Sequence, residues 1–345
     1  MGVAFKDLLI KEEVEIADLK GKILIVDASM WLYQFLSSIR APDGSLFSDS
    51  KGRITSHLMG LSTRVPNLML RGLKLAFCFD GEVPELKYRE RERRKEQKIK
   101  AELKFKQAVK EKDVKEMKKY AARTTRLTSE MIEEAKKLIK ALGLPVIQAP
   151  SEAEAQAAYI VKKRKAYAVA SNDYDSLLFG ATYIVRNLSI LGKRKKVSQL
   201  SYKTVKPELL KLADNLNKLG IDQDQLIVLA MMIGTDYNVG GIPGIGPKNA
   251  LKLVKEYKND FDALFKKVKW EESFDYPWTE VFYLIKKIPV TDDYDLTWKP
   301  INKKKVIGLL VKEHDFSEER IKNTIEKLEK ENKKRKQKGL SGWIK

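Results

Sequence analysis

Three short apolar runs, each closing on acidic residues, constrain this chain most strongly: Lys22 to Ala28 (KILIVDA), Leu73 to Asp80 (LKLAFCFD), and Ala166 to Ser171 (AYAVAS) followed by NDYD. Runs of this length, rich in branched residues and without polar alternation, read as strands buried on both faces, as in parallel sheets. Helical stretches lie between them, and Met131 to Leu142 ends at Gly143 and Pro145, which are stop signals. The alternation predicts an α/β fold, a central twisted, mostly parallel sheet with helices on both faces. Ligands of such sheets collect beyond the carboxyl ends of the strands, so Asp27, Asp80, Asp173 and Asp175 are predicted to converge on one edge.

Composition then limits what that edge can do. The chain has 345 residues with a hydrophobic fraction of 43%, enough for a core and too much for disorder as its main state. A single cysteine, Cys78, and two histidines exclude a disulfide framework and a cysteine-rich zinc site, so any metal would be held by carboxylate oxygen. No apolar run approaches the roughly 18 residues that span a bilayer, and the N-terminus lacks a secretory apolar core. An intracellular, cytoplasmic protein with no membrane partner is expected, nuclear if its source is eukaryotic. Gly2 does not mark a myristoyl site, because Lys6 stands where that motif needs Ser or Thr. Lys and Arg number 67 against 47 Asp and Glu, a net charge of +20, which points to a polyanionic partner, nucleic acid ahead of a membrane surface.

Two segments depart from globular patterning. From Glu85 to Arg126 there are 17 basic and 8 acidic residues and no Gly or Pro, which reads as helix with little to bury. It admits two readings, a solvated helical pair or a basic arch that orders on a nucleic-acid strand. Lys330 to Lys338 (KENKKRKQK) is a second basic run, expected to be disordered or a fraying helix end until bound.

Two divalent ions about 4 Å apart can clamp the attacking and leaving oxygens of a phosphodiester, and they need several carboxylates in one site. Each acid also has a bland explanation. Asp27 and Asp80 suit helix caps or turns, and Asp173 and Asp175 suit a turn. In PSEAEA, Ser151 and Glu154 fit a capping box, which leaves Glu152 unexplained. The metal reading rests on convergence, because clustered carboxylates repel unless cations neutralise them. Further on, GTDYNVGGIPGIGPKNA adds Asp236 and a glycine hairpin that opens a helix, with Gly244, Gly246 and Lys248 placed to meet a phosphate backbone without reading sequence.

VDASMWLYQFL, TSHLMG, FDGEVPELK, APSEAEAQAAY, SNDYDSLLFG, GTDYNVGGIPGIGPK and the tail QKGLSGWIK together resemble the flap endonuclease family of structure-specific 5' nucleases, in its compact archaeal form, in order over nearly the whole chain. The resemblance implies a PIN-like nuclease fold and cleavage of 5' flaps on branched DNA during replication, in Okazaki fragment maturation, and repair, with accompanying 5'-3' exonuclease activity. It implies two Mg2+ ions, with Mn2+ able to substitute, on Asp27, Asp80, Glu152, Glu154, Asp173, Asp175 and Asp236. Lys87 and Arg94 match the family's basic residues at the base of the arch. Tyr33 matches an aromatic that meets the nucleotide near the cut, with a core aromatic as its alternative, and Gly2 matches a residue near the active site. Lys87 and Arg94, seven residues apart, would share one helix face.

The same resemblance implies a tail that binds a sliding clamp of the proliferating cell nuclear antigen type through Gln337, Leu340, Trp343 and Ile344, on a chain that is otherwise monomeric. The family usually ends this motif in two aromatics, whereas Ile344 follows Trp343 here. Asn172 stands where relatives carry Gln or Glu and is expected to matter little, and the basic stretch 191–198 is expected to be an exposed loop. The expected division is a nuclease region at 1–99, part of the arch at 100–116, a second nuclease region with the glycine hairpin at 117–259, a helical region and basic linker at 260–336, and the tail at 337–345. A 5' exonuclease or junction nuclease of the same superfamily, or a non-catalytic clamp-tethered adaptor, are the alternatives.

Overall fold

A computed structural model of the chain describes residues 7–111, 113, 116, 117, 120, 124–190, 192–195 and 202–341. Its strands are β1 (Glu12–Glu13), β2 (Ile23–Asp27), β3 (Lys74–Phe79), β4 (Val146–Gln148), β5 (Ala168–Ala170), β6 (Tyr183–Arg186), β7 (Gly192–Lys195), β8 (Tyr202–Val205) and β9 (Glu208–Lys211). Seven of them form one sheet in the order β1-β9-β6-β5-β2-β3-β4, and β7 pairs with β8 in a separate antiparallel hairpin. The apolar runs of the sequence are β2, β3 and β5, side by side and parallel, with Leu24 opposite both Leu75 and Ala168. At one edge β9 and β1 add antiparallel.

The helices, in chain order, are α1 (Ala28–Ser38), α2 (Ser56–Leu70), α3 (Lys87–Lys110), α4 (Ser129–Ala141), α5 (Ala153–Lys162), α6 (Leu212–Leu219), α7 (Gln223–Ile233), α8 (Pro247–Tyr257), α9 (Phe261–Lys267), α10 (Trp270–Ser273), α11 (Trp278–Lys286), α12 (Lys303–Ile307) and α13 (Glu318–Ser341). Alternate strand residues feed two cores. Leu24, Val26, Leu75, Phe77 and Phe79 pack against α1, α2, α4, α12 and α13. Ile25, Ala76 and Cys78 face the other way, into a core shared with α5 and α7 to α11. Burying each such side chain contributes about 1.5–3 kcal/mol, which holds the strand ends in fixed register. Where α1 crosses α2 the fit is close, because a Cβ at Gly60 would stand 2.2 Å from the Phe35 ring.

The basic segment begins as α3, 24 residues long, on which Glu90, Ala101 and Ala108 alone are buried among the described residues. The second basic run takes the helix-end form of the expectation, since α13 continues through it to Ser341. No helix among the described residues is long and apolar enough to cross a membrane.

Candidate active site

The carboxyl ends of the parallel strands deliver acids from three directions. Asp27 is the last residue of β2 and caps α1, its Oδ1 accepting the Met30 N–H at 3.0 Å. Asp80 follows β3 and accepts the Ala153 N–H at 2.8 Å, so a strand-end carboxylate caps α5 from outside. Gly81 makes that approach possible: its N–H donates to the Ser151 carbonyl at 2.6 Å, and a Cβ there would meet the Ala149 carbonyl oxygen at 2.2 Å. Glu152 is the N-cap residue of α5, and Glu154 lies in its first turn. The expected capping box does not form, because the Ser151 hydroxyl donates to the Glu82 carbonyl and Glu154 accepts from Ser171 and Ser176 at 2.7 and 3.0 Å.

The loop after β5 holds Asp173 and Asp175. Asn172, expected to matter little, is a hub of that loop: its amide donates to Gln34 on α1 at 2.7 Å, its carbonyl oxygen accepts the Asn187 N–H, and its backbone carbonyl accepts from Arg186. Arg186 also donates to the Tyr174 hydroxyl and to Glu208. Asp236 comes from the other side, on a turn knotted by buried Thr235 and Asn238, whose side chains share a 2.7 Å hydrogen bond. The serines bracketing SNDYDS were the only sequence signal for this support, and nothing pointed to Gln34.

The acids feel one another. Burial and the neighbouring Asp80 raise the Asp27 carboxyl to about 8, offset in part by the Met30 N–H. Burial pushes Glu154 well above its ordinary value, with Asp27, Asp173 and Asp175 adding repulsion. No Lys or Arg pairs with Asp27, Asp80, Glu154 or Asp173 among the described residues. Glu152 and Asp236 are treated differently. Lys87 Nζ stands 2.6 Å from Glu152 and 3.3 Å from Asp236, and Arg94 Nη2 reaches Asp236 at 2.6 Å. Burial raises the Glu152 carboxyl and Lys87 pulls it back; burial opposes the charge on Lys87, but Glu152 and Asp236 outweigh it and raise its pKa. Lys87 and Arg94 thus share a helix face, as their spacing predicts, and meet the same carboxylate.

All seven acids therefore lie on one end of the molecule, but no three acids or histidines among the described residues close on a single point as a chelating group. Asp27, Asp80, Glu152, Glu154, Asp173 and Asp236 accept instead from N–H groups, hydroxyls or the two cations of α3. The donor set is all carboxylate oxygen, which suits hard divalent cations. Buried carboxylates with raised pKa and no cationic partner are what such cations would neutralise.

The electrostatics carry a sign that can be measured. A carboxyl whose folded pKa lies above its unfolded value favours folding fully only below the unfolded value, and that contribution is lost as pH rises to the folded one. With Asp27 at 3.8 when unexposed to its neighbours and about 8 in the fold, chelator-treated protein should lose stability between those values. Asp27→Asn keeps the helix cap and removes the charge, so at pH 8 with chelator its Tm should exceed wild type by roughly 5 °C, and the gap should close toward pH 4. A gap independent of pH in calorimetry would refute this origin.

The other predicted contacts fall as follows. Tyr33 is 40% exposed on α1, with Lys98 of α3 5.0 Å from its ring, so it is not a core aromatic. Gly244 takes a positive φ of 78° that favours glycine, and Gly246 is the N-cap of α8, with no side chain to cap it and Pro247 opening the helix, leaving backbone N–H groups beside exposed Lys248. Gln337 and Leu340 lie on α13, while Gly2, Trp343 and Ile344 fall outside the described residues.

Comparison with known proteins places these features in a family. The XPG N-terminal domain matches residues 1–102 and the XPG I-region residues 143–236. A flap endonuclease 1 of Thermococcus onnurineus is 49% identical over 344 residues, covering 100% of this chain and 99% of the relative. The solved flap endonuclease-1 of Methanococcus jannaschii superposes with a TM-score of 0.74 at 41% identity, covering 95% of this chain and 98% of that one. The catalytic core of Rad2, solved in complex with a DNA substrate, gives 0.69 at 25% identity, covering 95% of this chain and 100% of that one. Sharing their PIN-like nuclease fold and nearly half its residues with a full-length relative, the chain belongs to the flap endonuclease family.

Proposed function

We propose that this chain removes 5' single-stranded flaps where they meet duplex DNA, acting in replication and repair, with 5'-3' exonuclease activity alongside. Family membership carries the coarser statement: the chain is a structure-specific flap endonuclease, a phosphodiester hydrolase of a metal-dependent family. The observation that carries the finer reading is that two of the seven acids at this end of the sheet, Glu152 and Asp236, meet the two cations of a basic helix.

Asp27, Asp80, Glu152, Glu154, Asp173, Asp175 and Asp236 would hold two divalent ions, Mg2+ or in its place Mn2+. Such ions, when bound, supply the concentrated positive charge that polarises a phosphodiester toward in-line hydrolysis. The chain's own residues do the rest. Lys87 and Arg94, now paired with Glu152 and Asp236, present positive charge where negative charge builds on the phosphate. Tyr33 offers an exposed ring for stacking a base without reading its identity. The N–H groups and Lys248 at the start of α8 grip the duplex backbone, and the rest of α3 adds a salt-dependent attraction.

Cleavage of a labelled double flap, a nick and a bubble, each with and without Mg2+, tests the reading. Efficient cutting of the flap at its junction, dependent on the ion, is expected; preference for the bubble, or cutting without the ion, would overturn it.

Residues 337–345 are proposed to dock on a sliding clamp of the proliferating cell nuclear antigen type. The spacing of Gln337, Leu340, Trp343 and Ile344 supports this, with Trp343 as anchor because large aromatics dominate such pockets. Calorimetric titration of the cognate clamp with the tail peptide should show binding that Trp343→Ala removes. Equal heats from both peptides would exclude the tail as the clamp element.

A further inference from the structure

Glu90 is a buried acid on a helix that buries almost nothing else. It is 3% exposed, one turn beyond Lys87 and one turn before Arg94. Its Oε1 accepts from Arg94 Nε at 2.5 Å and from Arg93 Nη2 at 2.8 Å, and its Oε2 accepts from Arg93 Nε at 2.7 Å. Arg94 is thereby gripped on two sides, its Nε by Glu90 and its Nη2 by Asp236 at 2.6 Å. Those two grips differ in what becomes of them. Asp236 is one of the seven acids, and a cation drawn to it competes with Arg94; Glu90 belongs to α3 itself and faces no such competitor. Burial alone would push the Glu90 carboxyl up, yet the two guanidiniums outweigh it and hold it below its ordinary value, so its charge persists across the neutral range.

An arginine side chain has several rotatable bonds, and holding its guanidinium costs entropy that a preorganised carboxylate pays in advance. A charge-assisted bond to the Nε edge leaves the outer nitrogens pointing away from the anchor, which is the edge needed to address a phosphate. We propose that Glu90 is a positioning residue that keeps the Arg94 guanidinium aimed into the acid cluster when Asp236 is otherwise engaged. The proposal rests on Arg94 acting on the substrate phosphate.

The test is a double-mutant cycle read by single-turnover cleavage of a labelled double flap, with equilibrium binding of the same DNA measured alongside. Glu90→Gln keeps the size of the side chain and removes its charge. It should slow single-turnover cleavage about tenfold while Kd for the flap stays within about twofold, because the fault lies in the aim of one cation and not in the grip on DNA. In an Arg94→Ala background the same substitution should cost nothing further. In an Arg93→Ala background, where Glu90 retains Arg94 as its partner, Glu90→Gln should still slow cleavage. Wild-type rates for Glu90→Gln, or an equal loss with and without Arg94, would overturn the positioning role, the second outcome marking a general effect on the fold. If Arg94→Ala alone cleaves at the wild-type rate, the reading of Arg94 falls first and takes this proposal with it; slow cleavage by Arg94→Ala beside normal cleavage by Glu90→Gln would sink the proposal and leave the site intact.

Discussion

Asp80→Ala should reduce flap cleavage by about a thousandfold or more while leaving flap binding nearly unchanged, and Asp175→Ala should do the same. Several kcal/mol of transition-state stabilisation go with the ions that these oxygens would hold, and that sum sets the scale. In the proposed reading DNA affinity rests elsewhere, on α3 and the start of α8, whose cations neither change removes. Asp80 carries a second task, since its Oδ1 caps α5 through Ala153, so its loss also costs about 1 kcal/mol of helix stability. Asp80→Asn retains an oxygen for that cap and separates the two effects: it should restore the Tm and not the cleavage. Single-turnover rates at saturating enzyme, set beside Kd from fluorescence anisotropy, check both variants. Turnover near wild type in either would remove the acid from the site.

Lys87→Ala is the second large effect expected. Lys87 lies between Glu152 and Asp236, so its removal takes the paired cation from partly buried Glu152, leaves Asp236 to Arg94 alone, and empties the place where a phosphate would stand of one positive charge. The chemical step should slow by roughly 100-fold, the size of loss seen when one preorganised donor to a developing charge is deleted. Kd should change far less. Other α3 lysines, such as Lys100 and Lys104, have no contact with the acids and should instead weaken binding and reduce its salt dependence, with the rate at saturation preserved. A Lys87→Ala enzyme that cleaves at the wild-type rate once saturated would make Lys87 an ordinary phosphate contact.

How much of this was visible in the sequence differs by element. The three parallel strands were legible because each is buried on both faces and so carries an uninterrupted apolar run, and the acids at their ends followed from the sheet rule. The edge strands were not. β1 is two glutamates long and pairs with β9 nearly 200 residues away; Lys211 of β9 answers Glu12, and Lys11 beside β1 answers Glu208 of β9. No local pattern announces such a pairing. The capping box over PSEAEA failed for a related reason: the Ser151 hydroxyl is drawn to the Glu82 carbonyl and the Glu154 carboxylate to Ser171 and Ser176, partners that lie outside the hexapeptide.

The site shows the same division. The strand-end acids could be read from the apolar runs, the full set of seven and the choice of Lys87 and Arg94 came from the family resemblance, and spacing gave the shared face of those two cations. Glu90 could not, because in a run of 17 basic and 8 acidic residues one buried acid looks like any solvated one until its two arginine partners are seen. Asn172 looked replaceable because it is not an acid, yet the Asp173 loop hangs on its side-chain amide and on Gln34. Residues that hold ligands are legible by type, whereas residues that hold those residues are legible only by contact.

The central claim is that the clustered acids form a divalent-cation site, and titrating the DNA-free protein with Mn2+, read by calorimetry and by the spin-resonance signal of free ion, tests it most directly. The account predicts binding of two ions per chain, with affinity that falls as pH drops and Asp27 and Glu154 take up protons, and loss of at least one ion in Asp80→Ala and in Glu154→Gln. An absence of binding, or titrations of these variants that match wild type, would contradict it.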